Sequence, residues 1–435
     1  MITNIGLLGY GHVGAGVAKL IKTESELLGD KLGWPIRLKK ALVRDLSAAR
    51  NFEPEPGLLT TNPDEVVGNP DIQVVCELMG GLEPARTYIL KALEAGQHVV
   101  TANKALLATH GMEIINKAAE ANRDVMFEAA VAGAIPVIRT LKEGLAANRI
   151  QSLCGILNGT TNYIITRMSQ NNLSFEDALR EAQEAGYAEA DPAADVEGLD
   201  AAHKLALLSA LAYGVLPKIS EMHVEGITKL EPMDFAFAAE FGYVIKLLAV
   251  SSLHDAQGPL EVRLHPAMIP AGHLLAGVNG TMNAIMIKGH ASGDIFLSGR
   301  GAGMMPTASS VVGDIVEVAR THQIVSSSLR PPLLGWRTLK NDVVMCMNEA
   351  NLNYYLRFRV FDKPGVLSSI SGVFGRHNIS LAQVIQKSQS PKTDWVSLVV
   401  LTHKAKERDL LEALAELKTM DTIDDMRLIR VEEFL

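Results

Sequence analysis

The sequence predicts an α/β protein with three parts: a doubly wound parallel sheet, a second α+β domain with a mixed sheet, and a C-terminal βαββαβ unit. Two patterns lead to this prediction. Nearly continuous apolar strands alternate with helices through the first part of the chain, as in parallel sheets covered on both faces. After Ala134 the helices lengthen, and about the last 85 residues return to short strands. A chain of 435 residues has room for about three domains.

A glycine-rich turn follows the first predicted strand, residues 4–8, and opens a helix. In such a turn the first glycine permits the sharp bend, the second lets backbone approach a pyrophosphate, and the third allows close helix packing. The helix N-terminus then attracts the phosphates. This order of strand, turn and helix predicts a Rossmann-like dinucleotide site formed by Gly9, Tyr10, Gly11, His12, Val13 and Gly14.

Arg44 and Asp45 close the second predicted strand, residues 36–43, where the ribose of a cofactor would lie. An acid at this point would bind a ribose hydroxyl, whereas an arginine could pair with a 2'-phosphate. Because both are present, the sequence favours NADP and leaves the use of NAD open. The alternative is that Arg44 is a solvated loop residue.

Further strands of the first sheet are predicted over residues 72–78, 98–102 and 124–129. The carboxyl ends of parallel strands should rim one crevice, and Lys104 closes the strand over residues 98–102. Lys104 is therefore predicted to face the cofactor cleft. The alternative is a lysine at a helix start that faces water.

The chemistry is predicted to lie within residues 184–204, where acids crowd one amine. A helix is predicted from Val196 to Tyr213, with Asp195 as its N-cap. Asp200 and Lys204 stand four residues apart and therefore share one helix face. The packed side of this helix is predicted to carry Leu199, Ala202, Ala206 and Ala210.

An ion pair at this spacing is usually a solvated surface pair. This pair, however, is set in the most apolar helix of the chain, and further carboxylates lie just upstream, at Glu189, Asp191, Asp195 and Glu197. Dense acid beside a buried helix is costly without a ligand, so a binding or catalytic site is favoured.

The second sheet is predicted to contain residues 150–156, 221–229, 260–264 and 284–288. The chain then returns in a helix over residues 307–321, which is predicted to pack on the first sheet. A second glycine-rich turn precedes this helix, and Gly301 within it could let backbone crowd a cofactor or substrate. The predicted domains are 1–133 (completed by residues 305–325), 134–304, a linker over 326–350, and 351–435.

The C-terminal unit is predicted to have strands over residues 354–360, 380–386, 395–401 and 426–431. With helices after the first and third of these strands, the order is βαββαβ, that of a ferredoxin-like fold. Residues 362–365, Asp-Lys-Pro-Gly, form a turn at the N-terminus of the first helix, where a carboxylate could dock.

The composition excludes several classes of partner. The net charge of −8 is spread without acidic or basic blocks, which argues against nucleic acid and against an anionic membrane. No apolar run reaches membrane-spanning length, and the first strand begins too early for a leader peptide. Cys76, Cys154 and Cys346 form no close pair, so no disulfide or zinc site is predicted and a reducing cytoplasm is expected. Cys154 and His203 are interpreted as packed residues without a catalytic role.

Three segments resemble homoserine dehydrogenases. The most specific is residues 182–204, which contains Gly186-Tyr-Ala-Glu-Ala-Asp-Pro192 and Asp195-Val-Glu-Gly-Leu-Asp-Ala-Ala-His-Lys204. Residues 155–163 and 301–308 are also similar, although Arg300 stands where many members of the family have proline. The tail, with its Asp-Lys-Pro-Gly turn, resembles an ACT domain, an amino-acid-binding regulatory module. The resemblance covers nearly the whole chain.

The resemblance implies NAD(P)-dependent interconversion of L-aspartate 4-semialdehyde and L-homoserine, the branch step toward threonine and methionine. It implies that Lys204 exchanges the proton on the reacting oxygen, and that Lys104 lies beside nicotinamide and substrate. Glu189 and Asp200 would hold the substrate. A monovalent cation such as Na⁺ would be bound by the segment that contains Glu128, Val131, Gly133 and Ile135. A homodimer or homotetramer, with feedback by threonine or another amino acid, is also implied.

Other interpretations stay open. The chain could be a reductase or amino-acid dehydrogenase of similar architecture that acts on another small substrate, or a non-catalytic sensor of nucleotide and amino acid. The C-terminal unit could serve only to hold subunits together.

Overall fold

The computed structural model describes residues 2–253, 258–324, 343–387 and 394–433. Residues 326–342 of the predicted linker lie outside the described residues, and the rest of the linker includes a 3-10 turn over Met347–Glu349. None of the described helices is long and apolar enough to cross a membrane.

The first domain is built on a six-stranded sheet. Its strands are β1 (Thr3–Leu8), β2 (Ile36–Leu42), β3 (Leu59–Thr60), β4 (Val74–Glu77), β5 (His98–Thr101) and β6 (Val125–Met126). Its helices are α1 (His12–Thr23), α2 (Ser25–Leu32), α3 (Ala85–Glu94) and α4 (Lys104–Ala121). The order is β3-β2-β1-β4-β5-β6, and every pairing is parallel. The predicted doubly wound parallel sheet is therefore confirmed.

The order of strands reverses at β1, which lies between β2 and β4. In open α/β sheets the ligand crevice lies beyond the carboxyl end of the strand at which this reversal occurs. The glycine-rich turn after Leu8 is thus at the expected place. The predicted strand over residues 124–129 is shorter in the structure, because Glu128–Ala130 form a 3-10 turn.

The second domain carries a mixed sheet covered by helices. Its first half contains α5 (Val137–Arg139), β7 (Ile150–Ile156), α6 (Gly159–Asn171), α7 (Phe175–Glu184), α8 (Ala193–Val196) and α9 (Leu199–Tyr213). Its second half contains β8 (His223–Val224), α10 (Pro232–Glu240), β9 (Tyr243–Ser252), β10 (Glu261–Pro270), β11 (Met282–Gly289) and β12 (Gly293–Arg300). Strands β7, β9, β10, β11 and β12 pair antiparallel, while β8 runs parallel to β10.

The sequence prediction missed two strands of this sheet and lengthened a third. Strand β9 is buried from Ile245 to Ser252, so it lacks the alternation that marks a half-buried strand. Strand β12 is an edge strand whose apolar part is only Ile295 to Leu297, too short to mark a strand by alternation. The strand predicted over residues 221–229 is wrong in extent, since only His223 and Val224 pair with β10.

The chain returns to the first domain in α11 (Met304–Ile324), as predicted. Helix α11 packs along α1, and a Cβ atom on Gly16 of α1 would lie 2.9 Å from the carbonyl oxygen of Met304. Ala308, Val311 and Ile315 are fully buried in the same core as β1. Residues after the second domain therefore complete the first one.

The C-terminal unit has the predicted βαββαβ order with one small added strand. Its elements are β13 (Asn351–Phe361), α12 (Val366–Arg376), β14 (Leu381–Lys387), β15 (Trp395–Thr402), β16 (Ala405–Lys406), α13 (Glu407–Leu417) and β17 (Ile423–Val431). Buried residues of both helices, such as Phe374 and Leu410, share one core with the strands.

The sheet of the second domain continues into the C-terminal unit. Strand β10 pairs parallel with β17 through Ala267 and Met268, which gives a sheet of eleven strands among the described residues. Two buried arginines reinforce the junction. Arg263 of β10 pairs with Glu432 at 2.7 Å, and Arg357 of β13 pairs with Asp234 of α10 at 2.7 Å. The C-terminal unit is thus joined to the second domain by backbone pairing and by buried ion pairs.

Candidate functional site

The glycine-rich turn is shaped by close backbone contacts. Gly9 has φ +102°, and a Cβ atom there would lie 2.9 Å from the carbonyl oxygen of Leu78. A Cβ atom on Gly14 would overlap the carbonyl oxygen of Gly9, whereas nothing lies within 4 Å of a Cβ atom on Gly11. The first and third glycines are therefore required by packing, and the second leaves open space where a ligand could approach.

Two residues that the sequence analysis missed line this turn. Arg50 donates to the carbonyl oxygen of Tyr10 at 3.3 Å and also to that of Asp45. The side chain of Asn51 meets the His12 ring at 2.7 Å. Within the turn, Tyr10 is buried and Val13 is half-buried, whereas Gly11 and His12 are exposed to solvent. No local pattern marks Arg50 and Asn51, because the loop after β2 brings them back to the turn.

Arg44 is exposed at the carboxyl end of β2, as a residue that meets a ribose phosphate would be. The neighbouring carboxylate of Asp45 is occupied. It accepts hydrogen bonds from the amide and hydroxyl of Ser47, at 2.8 and 2.7 Å, and these bonds lower the pKa of Asp45. Oδ1 of the acid that would bind a ribose hydroxyl is therefore engaged locally, while Arg44 is exposed.

A cluster of two amines and one acid lies where the first and second domains meet. Lys104, the first residue of α4, places its Nζ 2.9 Å from Oδ1 of Asp200. Lys204 places its Nζ 2.5 Å from Oδ2 of the same carboxylate, and it also donates to the carbonyl oxygen of Leu157 at 2.8 Å. One carboxylate thus joins a lysine from the parallel-sheet domain to a lysine from the mixed-sheet domain.

The helix that carries Asp200 differs from the predicted one. Residues 193–213 form two helices, α8 and α9, separated by Gly198 with φ +89°. Asp195 is therefore not the N-cap of α9, since it lies inside α8. Leu199 is 40% exposed, which contradicts its place on the packed side, whereas Ala202, Ala206 and Ala210 are fully buried as predicted. Gly214 ends α9 in a left-handed conformation.

The two lysines have opposite electrostatic surroundings. Burial is the largest single influence on each amine, and by itself it would lower the pKa of both. For Lys104, the charges of Asp200, Asp195 and Glu189 outweigh burial, so its pKa is raised. For Lys204, which is 8% exposed, burial and the like charge of Lys104 prevail over Asp200, so its pKa is lowered. Lys204 is therefore the amine of the pair that loses its proton more readily.

Asp200 stays ionised in this cluster. Burial by itself would raise the pKa of its carboxyl group, but Lys204 and Lys104 hold that pKa far below its ordinary value. Glu189 lies on the exposed loop after α7 and forms no ion pair among the described residues. Its carboxylate is close enough to raise the pKa of Lys104 and remains available to a ligand.

The second glycine-rich turn packs against the segment predicted to bind a cation. The amide of Ala134 donates to the carbonyl oxygen of Arg300 at 3.1 Å. A Cβ atom on Gly133 would overlap the carbonyl oxygen of Gly301. The buried amide of Asn283 fills the space where a side chain on Gly301 would lie. Gly301 is thus buried, and it lies just before α11, which packs along α1.

The predicted cation segment offers backbone oxygens rather than a carboxylate. Both carboxylate oxygens of buried Glu128 accept backbone amides, from Ile138 at 2.8 Å and Arg139 at 2.9 Å. The candidate ligands are therefore the main-chain carbonyl oxygens of Glu128, Val131, Gly133 and Ile135. Three of them already accept one hydrogen bond: Glu128 from the Val131 amide at 3.3 Å, Gly133 from the Ser310 hydroxyl at 2.7 Å, and Ile135 from the Val137 amide at 2.8 Å. A carbonyl oxygen has two lone pairs, so each can still bind a cation. Such hard oxygen ligands suit a cation such as Na⁺. No cluster of three or more His, Cys, Asp or Glu that could hold a metal occurs among the described residues.

Cys154 and His203 match their non-catalytic interpretation. Cys154 is buried in β7, and burial raises the pKa of its thiol, which disfavours the reactive thiolate. His203 is half-buried, and burial lowers the pKa of its ring.

A glycine-rich turn at the switch point of a parallel sheet, in a chain that also buries a lysine and an acid where its first two domains meet, fits an NAD(P)-dependent oxidoreductase. Family models agree with this class. Residues 9–128 match the NAD-binding domain of homoserine dehydrogenase, residues 136–316 match homoserine dehydrogenase, and residues 354–421 match the ACT domain. The chain belongs to the homoserine dehydrogenase family.

Relatives match along the full length. The homoserine dehydrogenase of Neisseria gonorrhoeae is 42% identical over 432 residues, covering 99% of this chain and 98% of that one. That of Bacillus subtilis is 37% identical over 423 residues, covering 97% and 96%. The crystal structure of a homoserine dehydrogenase from Thiobacillus denitrificans superposes with a TM-score of 0.94 at 42% identity, covering 100% of this chain and 99% of that one. The Staphylococcus aureus enzyme at pH 7.5 gives 0.77 at 30% identity, with both chains fully covered.

Proposed function

We propose that this chain catalyses the reversible, NAD(P)H-dependent reduction of L-aspartate 4-semialdehyde to L-homoserine, within the synthesis of threonine, methionine and isoleucine. The observation that carries the proposal is the Asp200 carboxylate bridging Lys104 and Lys204 at the junction of the two domains. The family to which the chain belongs supports the choice of substrate.

Lys204 is the proposed proton donor and acceptor. Reduction of an aldehyde needs a hydride on carbon and a proton on oxygen, and bound NADPH supplies the hydride. Charged Lys204 polarises the carbonyl and gives its proton to the oxygen as the alcohol forms. In the reverse direction neutral Lys204 takes the proton from the hydroxyl of homoserine. The lowered pKa of Lys204 supports this role, because it makes the neutral amine accessible.

Lys104, Asp200 and Glu189 are the proposed positioning and binding groups. Lys104 keeps its charge and lies beside nicotinamide and substrate, while Asp200 holds the two amines in place. The exposed Glu189 carboxylate is suited to the ammonium group of the substrate. We further propose Gly9 to Gly14 as the pyrophosphate turn, with Gly301 against the cofactor from the opposite side.

NADP is the proposed preferred cofactor, with NAD as a possible substitute. Two observations support this preference. Oδ1 of Asp45 accepts two hydrogen bonds from Ser47, which leaves only Oδ2 for the ribose of NAD. Arg44 is exposed at the same strand end, where a guanidinium can pair with a 2'-phosphate.

A monovalent cation such as Na⁺ is proposed at the carbonyl oxygens of Glu128, Val131, Gly133 and Ile135. Ala132 and Gly133 both have φ near +55°, so this short segment folds tightly. A cation bound there would brace the turn against Gly301, which the same segment contacts.

The ACT domain is proposed to bind an amino-acid effector such as threonine. A cavity of about 310 Å³ opens at the Asp-Lys-Pro-Gly turn, between residues 360–367, Gln386 and Leu398. The turn precedes α12, whose N-terminus favours a carboxylate. The alternative is that this unit, whose β17 pairs with β10 of the second domain, serves only to hold subunits together.

The chain is proposed to be cytoplasmic and to form a homodimer or homotetramer. Its three cysteines are all free, as in a reducing compartment. Among the described residues, no strand pairs with the outer edge of β12 at the end of the large sheet, and a second copy could extend the sheet there.

The decisive experiment follows NADPH oxidation with aspartate semialdehyde as substrate. We expect turnover with this aldehyde and much slower turnover with other small carbonyl compounds and with imines. A preference for another carbonyl compound would favour a different reductase. Binding of NADPH without turnover of any substrate would favour the sensor.

A further inference from the structure

Asn158 lies at the centre of the lysine and acid cluster, although nothing above assigns it a role. It follows β7 and caps the N-terminus of α6, and it is 4% exposed. The residue before it, Leu157, supplies the carbonyl oxygen that accepts from Lys204. The backbone of Leu157 therefore contacts Lys204, the proposed proton donor, and the side chain of Asn158 contacts the neighbouring acids.

The orientation of the Asn158 amide is fixed by its partners. Oδ1 accepts from the backbone amide of Thr161 at 2.8 Å, so this atom must be the oxygen. The two hydrogens on Nδ2 are then given to Asp195 at 2.6 Å and to Asp200 at 2.9 Å. Every hydrogen bond that the nitrogen can donate is used on a carboxylate.

This arrangement separates two acids that would otherwise repel each other. The neutral amide stands between Asp195 and Asp200, and it shares Oδ2 of Asp200 with Lys204. Oδ1 of Asp200 is thereby left for Lys104. Without the amide, nothing described on α6 would keep the two carboxylates apart, and the Asp200 group could rotate away from one lysine.

We propose that Asn158 is a positioning residue that holds the Asp200 carboxylate between Lys104 and Lys204 and keeps it apart from Asp195. This inference rests on the proposed function of Lys204. The charged and titratable groups around Lys204 are Asp200 and His203 of α9, Lys104 of α4, Asp195 of α8, and Glu189 beyond Lys104.

Two substitutions separate this role from simple capping of α6. Aspartate and serine cap helices about as well as asparagine, so Asn158→Asp and Asn158→Ser should both preserve the helix start. Only asparagine can donate to two carboxylates. Asn158→Asp adds a third acid beside Lys204, and Asn158→Ser leaves Asp195 and Asp200 without a shared donor.

For Asn158→Ser we expect kcat of homoserine oxidation to fall about 10- to 100-fold, with little change in the KM for NADP. For Asn158→Asp we expect the alkaline rise of that rate to move to higher pH by about 1 unit, because a further negative charge favours charged Lys204. Asn62→Asp, at the N-cap of a 3-10 turn in the first domain, is the matched control and should change neither quantity.

A readout without turnover makes the test independent of the proposed function. The titration of Lys204 can be followed by NMR of ¹⁵N-labelled lysine Nζ in the wild-type chain and in Asn158→Asp, with thermal unfolding as a check of the fold. A higher titration pH in the variant supports the proposal. Unchanged titration in folded Asn158→Asp, or normal kcat in Asn158→Ser, would overturn it. Failure of the wild-type chain to turn over aspartate semialdehyde would instead count against the proposed function.

Discussion

Nζ of Lys104 lies 2.9 Å from Oδ1 of Asp200 and thereby links α4 of the first domain to α9 of the second. Nζ of Lys204 lies 2.5 Å from Oδ2, the other oxygen of the same carboxylate. The charge state of each lysine therefore depends on the other, and on the acid that they share.

Lys204→Ala should lower turnover by about 100-fold or more, because a positioned proton donor typically contributes about 10²- to 10⁴-fold. NADPH binding, measured by fluorescence titration, should stay close to normal. Lys218→Ala, which removes a lysine whose side chain is 80% exposed, is the control and should have no effect. Near-normal turnover of Lys204→Ala would remove Lys204 from the mechanism.

The rate of homoserine oxidation should rise with pH as Lys204 becomes neutral, with a midpoint below the ordinary lysine pKa of about 10.4. Lys104→Gln removes the like charge that lowers the pKa of Lys204 and leaves Asp200 to Lys204 alone. The midpoint should then shift to higher pH by about 1 unit. Lys117→Gln, on the same helix and paired with Glu94, should leave the profile unchanged. A shift to lower pH after Lys104→Gln would contradict the assignment.

Arg44→Ala should raise the KM for NADPH about 10-fold and leave that for NADH nearly unchanged, because only NADPH carries the 2'-phosphate that the guanidinium would bind. Steady-state kinetics with both cofactors provide the measurement. Arg37→Ala, an exposed arginine on β2, is the matched control. Equal effects on both cofactors would place Arg44 outside the phosphate site.

Arg357→Met should lower the free energy of unfolding by about 3 to 5 kcal/mol, because it leaves the buried carboxylate of Asp234 without its charge partner. Arg359→Met, two residues further along β13, breaks an exposed pair with Asp424 and should cost about 1 kcal/mol or less. Denaturant unfolding of both variants gives the comparison. Equal stability would show that the junction between α10 and β13 does not depend on this ion pair.

Threonine should lower turnover of the wild-type chain and have little effect on Asp362→Ala, whose carboxylate borders the cavity at the turn before α12. Basal turnover should be retained, because Asp362 is remote in the fold from the lysine cluster. A point substitution is the better test than deletion of the ACT domain, since removing β17 would expose the edge of β10. Equal inhibition of both forms, or none of either, would contradict an effector site at this turn.

Features set by local spacing were predictable from the sequence. The turn from Gly9 to Gly14 is recognisable because a strand, three glycines and a helix start lie next to one another in the chain. The pair of Asp200 and Lys204 follows from four-residue spacing on a helix. The alternation of apolar strands and helices was sufficient to predict the parallel sheet. The order of strands and helices in the C-terminal unit was sufficient to predict its ferredoxin-like fold.

Contacts between distant parts of the chain were decided only by the tertiary structure. Asn158, Arg50 and the pairing of β10 with β17 have no local pattern, since each depends on which surfaces pack together. The lower pKa of Lys204 relative to Lys104 was also not predictable, because both are lysines near the same acid. Burial separates them: the fold removes Lys204 from water more completely, and desolvation weighs against the charged amine.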